Sequence, residues 1–180
     1  GRVYTQGVRE TAEKFIPEMR ARGAELVVAI SHGGLDDSPY SPTMENGNYY
    51  LSQVPGVDAM LIGHSHQLFP NAASTVPQFN LPGVDKVKGL VNGVPTVMAN
   101  LWGKHLGVIG LSLRHDGKQW TVDKSATTVE ARGIQNADKS YVQPDAAIAR
   151  LVAEEHALEG EQIAWERTQD RRGVRKQKPR

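Results

Sequence analysis

Three of the six histidines in this chain, His32, His64 and His66, stand where an apolar run gives way to a glycine-bearing loop. The first run is Glu25-Leu26-Val27-Val28-Ala29-Ile30, followed by Ser31-His32-Gly33-Gly34. The second is Val57-Asp58-Ala59-Met60-Leu61-Ile62, followed by Gly63-His64-Ser65-His66. Imidazole is a good donor for zinc, manganese, iron and nickel, and a chain without cysteine can build a metal site only from His, Asp, Glu and Asn. A single histidine after a strand is ordinarily a plain loop residue. Three of them on two successive strand ends are a different matter, because ligands in open α/β sheets gather beyond the carboxyl ends of the strands, where loop side chains converge. His105, within Trp102-Gly103-Lys104-His105-Leu106-Gly107, is a fourth histidine that could approach this region, whereas His115 and His156 read as surface residues. Three neutral imidazoles leave a pair of divalent cations without compensating charge. Two-metal hydrolytic centres hold their ions roughly 3.5–4 Å apart with oxygen ligands. Asp36, Asp37 and Glu45 offer carboxylates by composition, but they lie in a proline-rich, solvated loop, so the carboxylate ligands are expected to come from elsewhere.

The elements that must position these residues are legible from periodicity. Val8, Ala12, Phe15, Ile16 and Met19 recur at helical spacing between Thr5 and Arg22, and Gly23 follows as a stop signal. Pro17 removes a backbone donor inside that helix and predicts a kink or a broken turn. The two apolar runs read as buried strands, and a short helix is expected over Glu45 to Gln53, ahead of Pro55-Gly56. Residues 67 to 92 carry several prolines and no sustained period, which predicts a long irregular connection of the kind that lines sites. After the Asn92-Gly93 turn, Val94 to Ala99 reads as a strand. Leu106 to His115 and Lys118 to Thr128 read as a hairpin about Asp116-Gly117. A last amphipathic helix is expected from Pro144 to about Glu166, weakened by Gly160.

Length, composition and charge set wider bounds. With 39% hydrophobic and 23% charged residues in 180, the chain reads as one ordinary globular domain. No apolar run approaches the roughly 20 residues needed to span a bilayer, and the first residues lack the pattern of a signal peptide. Of 21 basic and 20 acidic residues, the last twelve positions hold six and one, leaving 15 against 19 in the rest, a net of −4. The basic end, residues 169–180, has no aromatic residues and no apolar periodicity. It reads as a solvated, disordered tail rather than a contact for nucleic acid or lipid.

A family resemblance enters through particular segments. Glu45-Asn46 with Tyr49-Tyr50-Leu51, Pro55-Gly56-Val57-Asp58, Gly63-His64-Ser65-His66 with Phe69-Pro70, Asn92-Gly93-Val94-Pro95 and Trp102-Gly103-Lys104-His105-Leu106-Gly107-Val108 together resemble the calcineurin-like metallophosphoesterases of the 5'-nucleotidase group. Within that group the likeness is to the periplasmic branch acting on 2',3'-cyclic nucleotides and 3'-nucleotides, and it runs from about Val3 to Gly133. The resemblance implies a mixed α/β fold, the C-terminal part of a four-layer α/β/β/α sandwich. It also implies two divalent metal ions such as Zn, Mn or Co, with His32 and His64 on one and His66 on the other, and a metal-activated water that attacks phosphorus. A nucleotide is the implied substrate and the periplasm the implied location. No membrane and no nucleic-acid polymer is expected as a partner.

The family's upstream Asp-x-His, its bridging Asp and its Asn-His-Glu segment have no counterpart among residues 1 to 31, so no catalytic acid or base is assigned in this chain. The expected organisation is therefore residues 1–133 as the C-terminal part of a metallophosphoesterase domain, 134–168 as a connector helix towards a missing nucleotide-binding domain, and 169–180 as the basic tail. Such a piece, separated from its N-terminal half-site and C-terminal domain, is expected to bind metal poorly and to turn over slowly or not at all. A noncatalytic module using the histidines at a single ion, a related 5'-nucleotidase, and an α/β domain with merely structural histidines are the competing readings.

Overall fold

The computed structural model describes residues 5–160. They divide at Ala137/Asp138 into two compact units. The first opens with helix α1 (Val8–Ala21), whose Ile16 is buried while Phe15 and Met19 stay partly exposed. The helix is assigned without a break through Pro17, so the expected broken turn is not found. Pro17 is solvent-exposed, and the hydrogen bond it cannot donate is lost on the helix's outer side. At the C-terminal end, Arg20 ties α1 to the sheet. Its guanidinium donates to Asp58 Oδ2 at 2.5 Å, to the Gly56 carbonyl at 3.1 Å, to the Ala24 carbonyl at 3.2 Å and to the Glu25 carbonyl. Asp58 Oδ2 also accepts from the Val27 amide at 2.7 Å, which registers the start of the first strand against the second.

Strand β1 (Val28–Ser31) pairs in parallel with β2 (Ala59–Ile62), Val28 opposite Ala59 and Ser31 opposite Ile62. Helix α2 (Asn48–Leu51) lies between them in sequence and is shorter than the Glu45 to Gln53 span expected. The connection after β2 is less irregular than its composition suggests. It holds β3 (Leu68–Phe69), a 3-10 turn at Pro77–Asn80, β4 (Val84–Asp85) and β5 (Leu90–Val91). β6 (Val94–Ala99) then runs parallel to β2 and carries antiparallel pairs with β3 and β5. The sheet order is β1-β2-β6-β5-β4, with β3 also on β6. The core is built around Met60, Phe69, Phe79, Val91 and Met98, all essentially without exposure, with Phe69 and Phe79 edge-to-face at 4.9 Å between centroids.

β1 corrects one expectation. It is an edge strand rather than a strand buried on both faces: Ile30 is 82% exposed and Val28 47%. An apolar groove runs between it and α1, lined among others by Phe15, Met19, Val28 and Ile30.

The hairpin half also differs in detail. β7 (His105–Gly110) pairs with β10 (Thr128–Gly133), and the separate tip β8 (Leu113–His115) with β9 (Trp120–Val122). The ladder breaks at Leu111-Ser112, where Asp123 donates its amide to the Ser112 carbonyl and Thr127 Oγ1 accepts from the Ser112 amide. Asp116 accepts from the amides of Lys118 and Gln119 and closes the turn at the place expected.

In the second unit, α3 (Ala146–Leu151) is capped by Asp145, whose Oδ1 accepts from the Ala147 amide at 2.7 Å, and residues 153–160 are again helical. Ile148 and Leu151 are exposed. The rest of the expected final helix, the basic tail and Gly1 to Tyr4 lie outside the described residues.

Candidate metal centre

β1, β2 and β6 run in the same direction, so their carboxyl ends meet along one edge of the sheet. With Ser31 opposite Ile62, the next residues on the two chains are His32 and Gly63, and the Gly63 amide donates to the Gly33 carbonyl at 3.1 Å. Glycine at position 63 leaves room for the histidine: a Cβ there would stand 3.3 Å from His32 Nδ1, a tight contact that the ring would have to relieve by shifting. The chain then turns sharply. The Ser65 amide donates to the Gly63 carbonyl at 2.8 Å, and both His64 (φ 65°) and His66 (φ 54°) occupy the left-handed region. Non-glycine residues rarely adopt that region, and such departures concentrate at functional sites.

The result is a direct meeting of two of the three histidines. The rings of His32 and His64 stand edge-to-face with centroids 5.4 Å apart and planes at 72°. Two imidazoles that share one ion at about 2.1 Å per nitrogen have centroids roughly 5–6 Å apart, and the His32–His64 separation lies in that range. His66 is exposed two residues further on, and the ring contacts among the described residues leave it outside the pair. His105 begins β7 with Nδ1 buried and without a hydrogen-bond partner among the described residues.

The fit stops at the nitrogen donors. Among the described residues no group of three or more His, Asp or Glu side chains is placed to hold an ion. Asp36 is occupied locally. Its Oδ1 accepts from the Ser38 amide at 2.8 Å and the Ser38 hydroxyl at 2.7 Å, bonds that hold its carboxyl below the usual aspartate range, the backbone amide contributing most. Glu45 differs from it: Glu45 Oε1 lies 2.8 Å from His64 Nε2, although the glutamate is largely exposed.

The loop that carries Glu45 is laced to the His32 loop. Asn46 Oδ1 accepts from the Gly34 amide at 2.7 Å, Asn48 Nδ2 donates to the Gly33 carbonyl at 2.5 Å, and Leu35 and Gly47 form an antiparallel bridge. Asn48 is fully buried, and its Oδ1 has no partner among the described residues. A Cβ at Gly34 would come within 2.7 Å of Ser65 Oγ and 2.9 Å of Asn46 Oδ1, so a side chain there would displace the groups where the three loops close on one another. Ser65 Oγ also contacts Met98 Sδ at 3.3 Å, fixing the second histidine loop to β6.

Sequence reasoning offered Glu45 with Asp36 and Asp37 as a carboxylate by composition but set all three aside as residues of a solvated loop, and it did not weigh Asn46 or Asn48 as site residues. The one signal available was Glu45-Asn46 beside Tyr49-Tyr50, used only as a family mark. Beyond β6, Asn100 and Trp102 again take positive φ, and Trp102 is 83% exposed with Lys104 Nζ 5.0 Å from its ring centroid.

No profile of a known family matches the sequence. The chain is 42% identical over 158 residues to the 2',3'-cyclic-nucleotide 2'-phosphodiesterase/3'-nucleotidase of Salmonella typhimurium, covering 87% of this chain and 24% of that protein. It is 42% identical, over the same number of residues, to the protein of the same name from Yersinia enterocolitica. Similarity extends to the trifunctional nucleotide phosphoesterase protein YfkN of Bacillus subtilis, at 39% over 133 residues and 9% of its length. The crystal structure of the calcineurin-like phosphoesterase YfkN superposes with a TM-score of 0.78 at 30% identity, over 91% of this chain and 47% of that one. The chain thus spans about a quarter of the length of the cyclic-nucleotide relatives. In sequence and fold the chain is thus similar to one part of the length of calcineurin-like phosphoesterases.

Proposed function

We propose that this chain supplies the histidine side of a two-metal centre that hydrolyses nucleotide phosphoesters, 2',3'-cyclic nucleotides and 3'-nucleotides being the substrate class named in its relatives. The observation that carries the reading is the adjacency of the His32 and His64 rings, 5.4 Å apart on the carboxyl ends of paired parallel strands. In this reading His32 and His64 hold one divalent ion and His66 reaches the other. When bound, the ions lower the pKa of a coordinated water and offset the charge on the phosphoryl oxygens.

The chain's own contribution is orientation. Gly63 leaves room for the His32 ring, the left-handed turn that carries His64 and His66 follows directly on β2, and Ser65 anchors that turn to Met98. No residue here is assigned as a general acid or base. Oxygen ligands to balance the metal charge are not grouped with the histidines among the described residues, so the complete centre would draw them from another segment, and the periplasm is the compartment this reading assigns.

Metal uptake tests the reading. The protein carrying this chain is stripped with chelator, reloaded with Zn, Mn or Co, and assayed for bound metal and for hydrolysis of 2',3'-cyclic AMP. About two equivalents per complete centre are expected, and His64→Ala and His66→Ala should each reduce hydrolysis by orders of magnitude without loss of fold. Unchanged metal content and turnover in both variants sink it. A second reading, a noncatalytic site for a single ion, is favoured by the fact that only two imidazoles meet. It predicts one equivalent, lost in His32→Ala and His64→Ala and retained in His66→Ala.

A further inference from the structure

We infer that Glu45 is a positioning residue for His64, fixing which ring nitrogen is free to face a cation; this rests on the proposed reading of the histidine pair as metal ligands. The geometry is specific. Glu45 Oε1 stands 2.8 Å from His64 Nε2, and a carboxylate only accepts hydrogen bonds, so the hydrogen of a neutral His64 belongs on Nε2 and the lone pair on Nδ1. That nitrogen is then the donor available beside His32, whose ring meets His64 edge-on. A carboxylate bonded to the far nitrogen of a ligating histidine fixes its tautomer and raises its donor strength.

Glu45 is not free to wander. The next residues bind the His32 loop through Asn46 Oδ1 to the Gly34 amide and Asn48 Nδ2 to the Gly33 carbonyl, and the Glu45 carbonyl oxygen would sit 2.9 Å from a Cβ at Gly33. One four-residue segment, Glu45–Asn48, therefore holds the loop of the first histidine by its amides and the ring of the second by its carboxylate. Glu45 as a third ligand is not what the arrangement offers, since no three-residue donor group forms among the described residues.

The test separates this inference from the reading beneath it. Nitrogen-15 chemical shifts of the His64 ring in the metal-free chain, at about pH 8 where imidazoles are neutral, should show the Nε2–H tautomer dominant. Glu45→Ala should return the ring to a mixture, while Glu45→Gln, which keeps an acceptor oxygen, should hold the tautomer. Cobalt or zinc titration should then find Glu45→Ala weaker by roughly tenfold and Glu45→Gln by about threefold or less, against near-complete loss in His64→Ala. A wild-type ring already in mixed tautomers, an Ala variant that binds as tightly as wild type, or a Gln variant as damaged as His64→Ala each overturns the inference. If His64→Ala itself takes up metal normally, the metal-site reading fails instead, and the tautomer result still decides the Glu45 contact.

Discussion

Replacing His64 by glycine should be less destabilising than replacing it by alanine, the reverse of the order found at ordinary helix or strand positions. At φ 65° the residue sits in the left-handed region. There a side chain with Cβ costs about 1–2 kcal/mol that glycine does not incur. Glycine gives back about 0.4–1 kcal/mol through the greater freedom of its unfolded chain. Both variants lose the same ring contacts to His32 and Glu45, so those cancel in the comparison. The balance favours His64→Gly over His64→Ala by roughly 0.5–1 kcal/mol, and His66, at φ 54°, should behave the same way. With a urea slope of about 2 kcal/mol/M, the expected separation of midpoints is roughly 0.3–0.5 M. The assay is urea unfolding of metal-free protein followed by far-ultraviolet circular dichroism, so that lost metal binding does not enter. Alanine equal to or more stable than glycine at both positions would refute the backbone reasoning. The expected result also places stability and function in opposition at this turn, since the glycine variants would lose a metal donor while relieving the backbone.

Other perturbations read different parts of the structure. Arg20→Ala should lower stability by about 2 kcal/mol in the same urea assay, because four charge-assisted bonds from α1 to the segments leading into β1 and β2 are lost and Asp58 keeps only the Val27 amide; a shift near zero would show that these bonds do not hold α1 in place. Met60→Ala in the fully buried core should cost about 2–5 kcal/mol, whereas Ile30→Lys on the exposed edge should leave the midpoint nearly unchanged and reduce light scattering at high concentration. Desolvation, assisted by the hydrogen bond to Glu10, pushes the Tyr40 hydroxyl up to about 12, and that hydroxyl in turn holds the Glu10 carboxyl below its usual range. The tyrosine's contribution is present below its unfolded value near 10 and is lost as pH rises towards 12. The glutamate's is present above its unfolded value and is lost as pH falls through the lowered one. Ultraviolet titration should therefore show one of the five tyrosines ionising late, and Tyr40→Phe should remove that phase; an unchanged titration would exclude the Glu10 contact.

The histidine loops were legible because a β-branched run that stops at Ser31-His32-Gly33 or Gly63-His64 has few other interpretations, and the parallel register brings the two stops together. Ile30 was misread because an apolar run is the same whether one face or two are covered; exposure depends on what lies beyond the strand, and nothing in residues 25 to 30 records that. Pro17 was expected to kink its helix or break a turn, yet the helix runs on through it, with the proline exposed to solvent. Glu45 was named as a carboxylate by composition and then set aside, since its partner lies nineteen residues on and the link exists only after α2 has folded the loop back. The split of the long hairpin at Leu111-Ser112 depends on side-chain bonds from Thr127 that no alternation of apolar residues reveals.

Because β1 is joined to the sheet by a single ladder, four residues against β2 plus the Val27 and Asp58 link, its amides should exchange with solvent before those of β2 and β6. Fraying of that outer ribbon would carry one imidazole away and leave the other in place. Loss of paired donation would then precede global melting on heating, and any segment or ligand that clamps the ribbon would lengthen the lifetime of a bound ion without touching the ion itself.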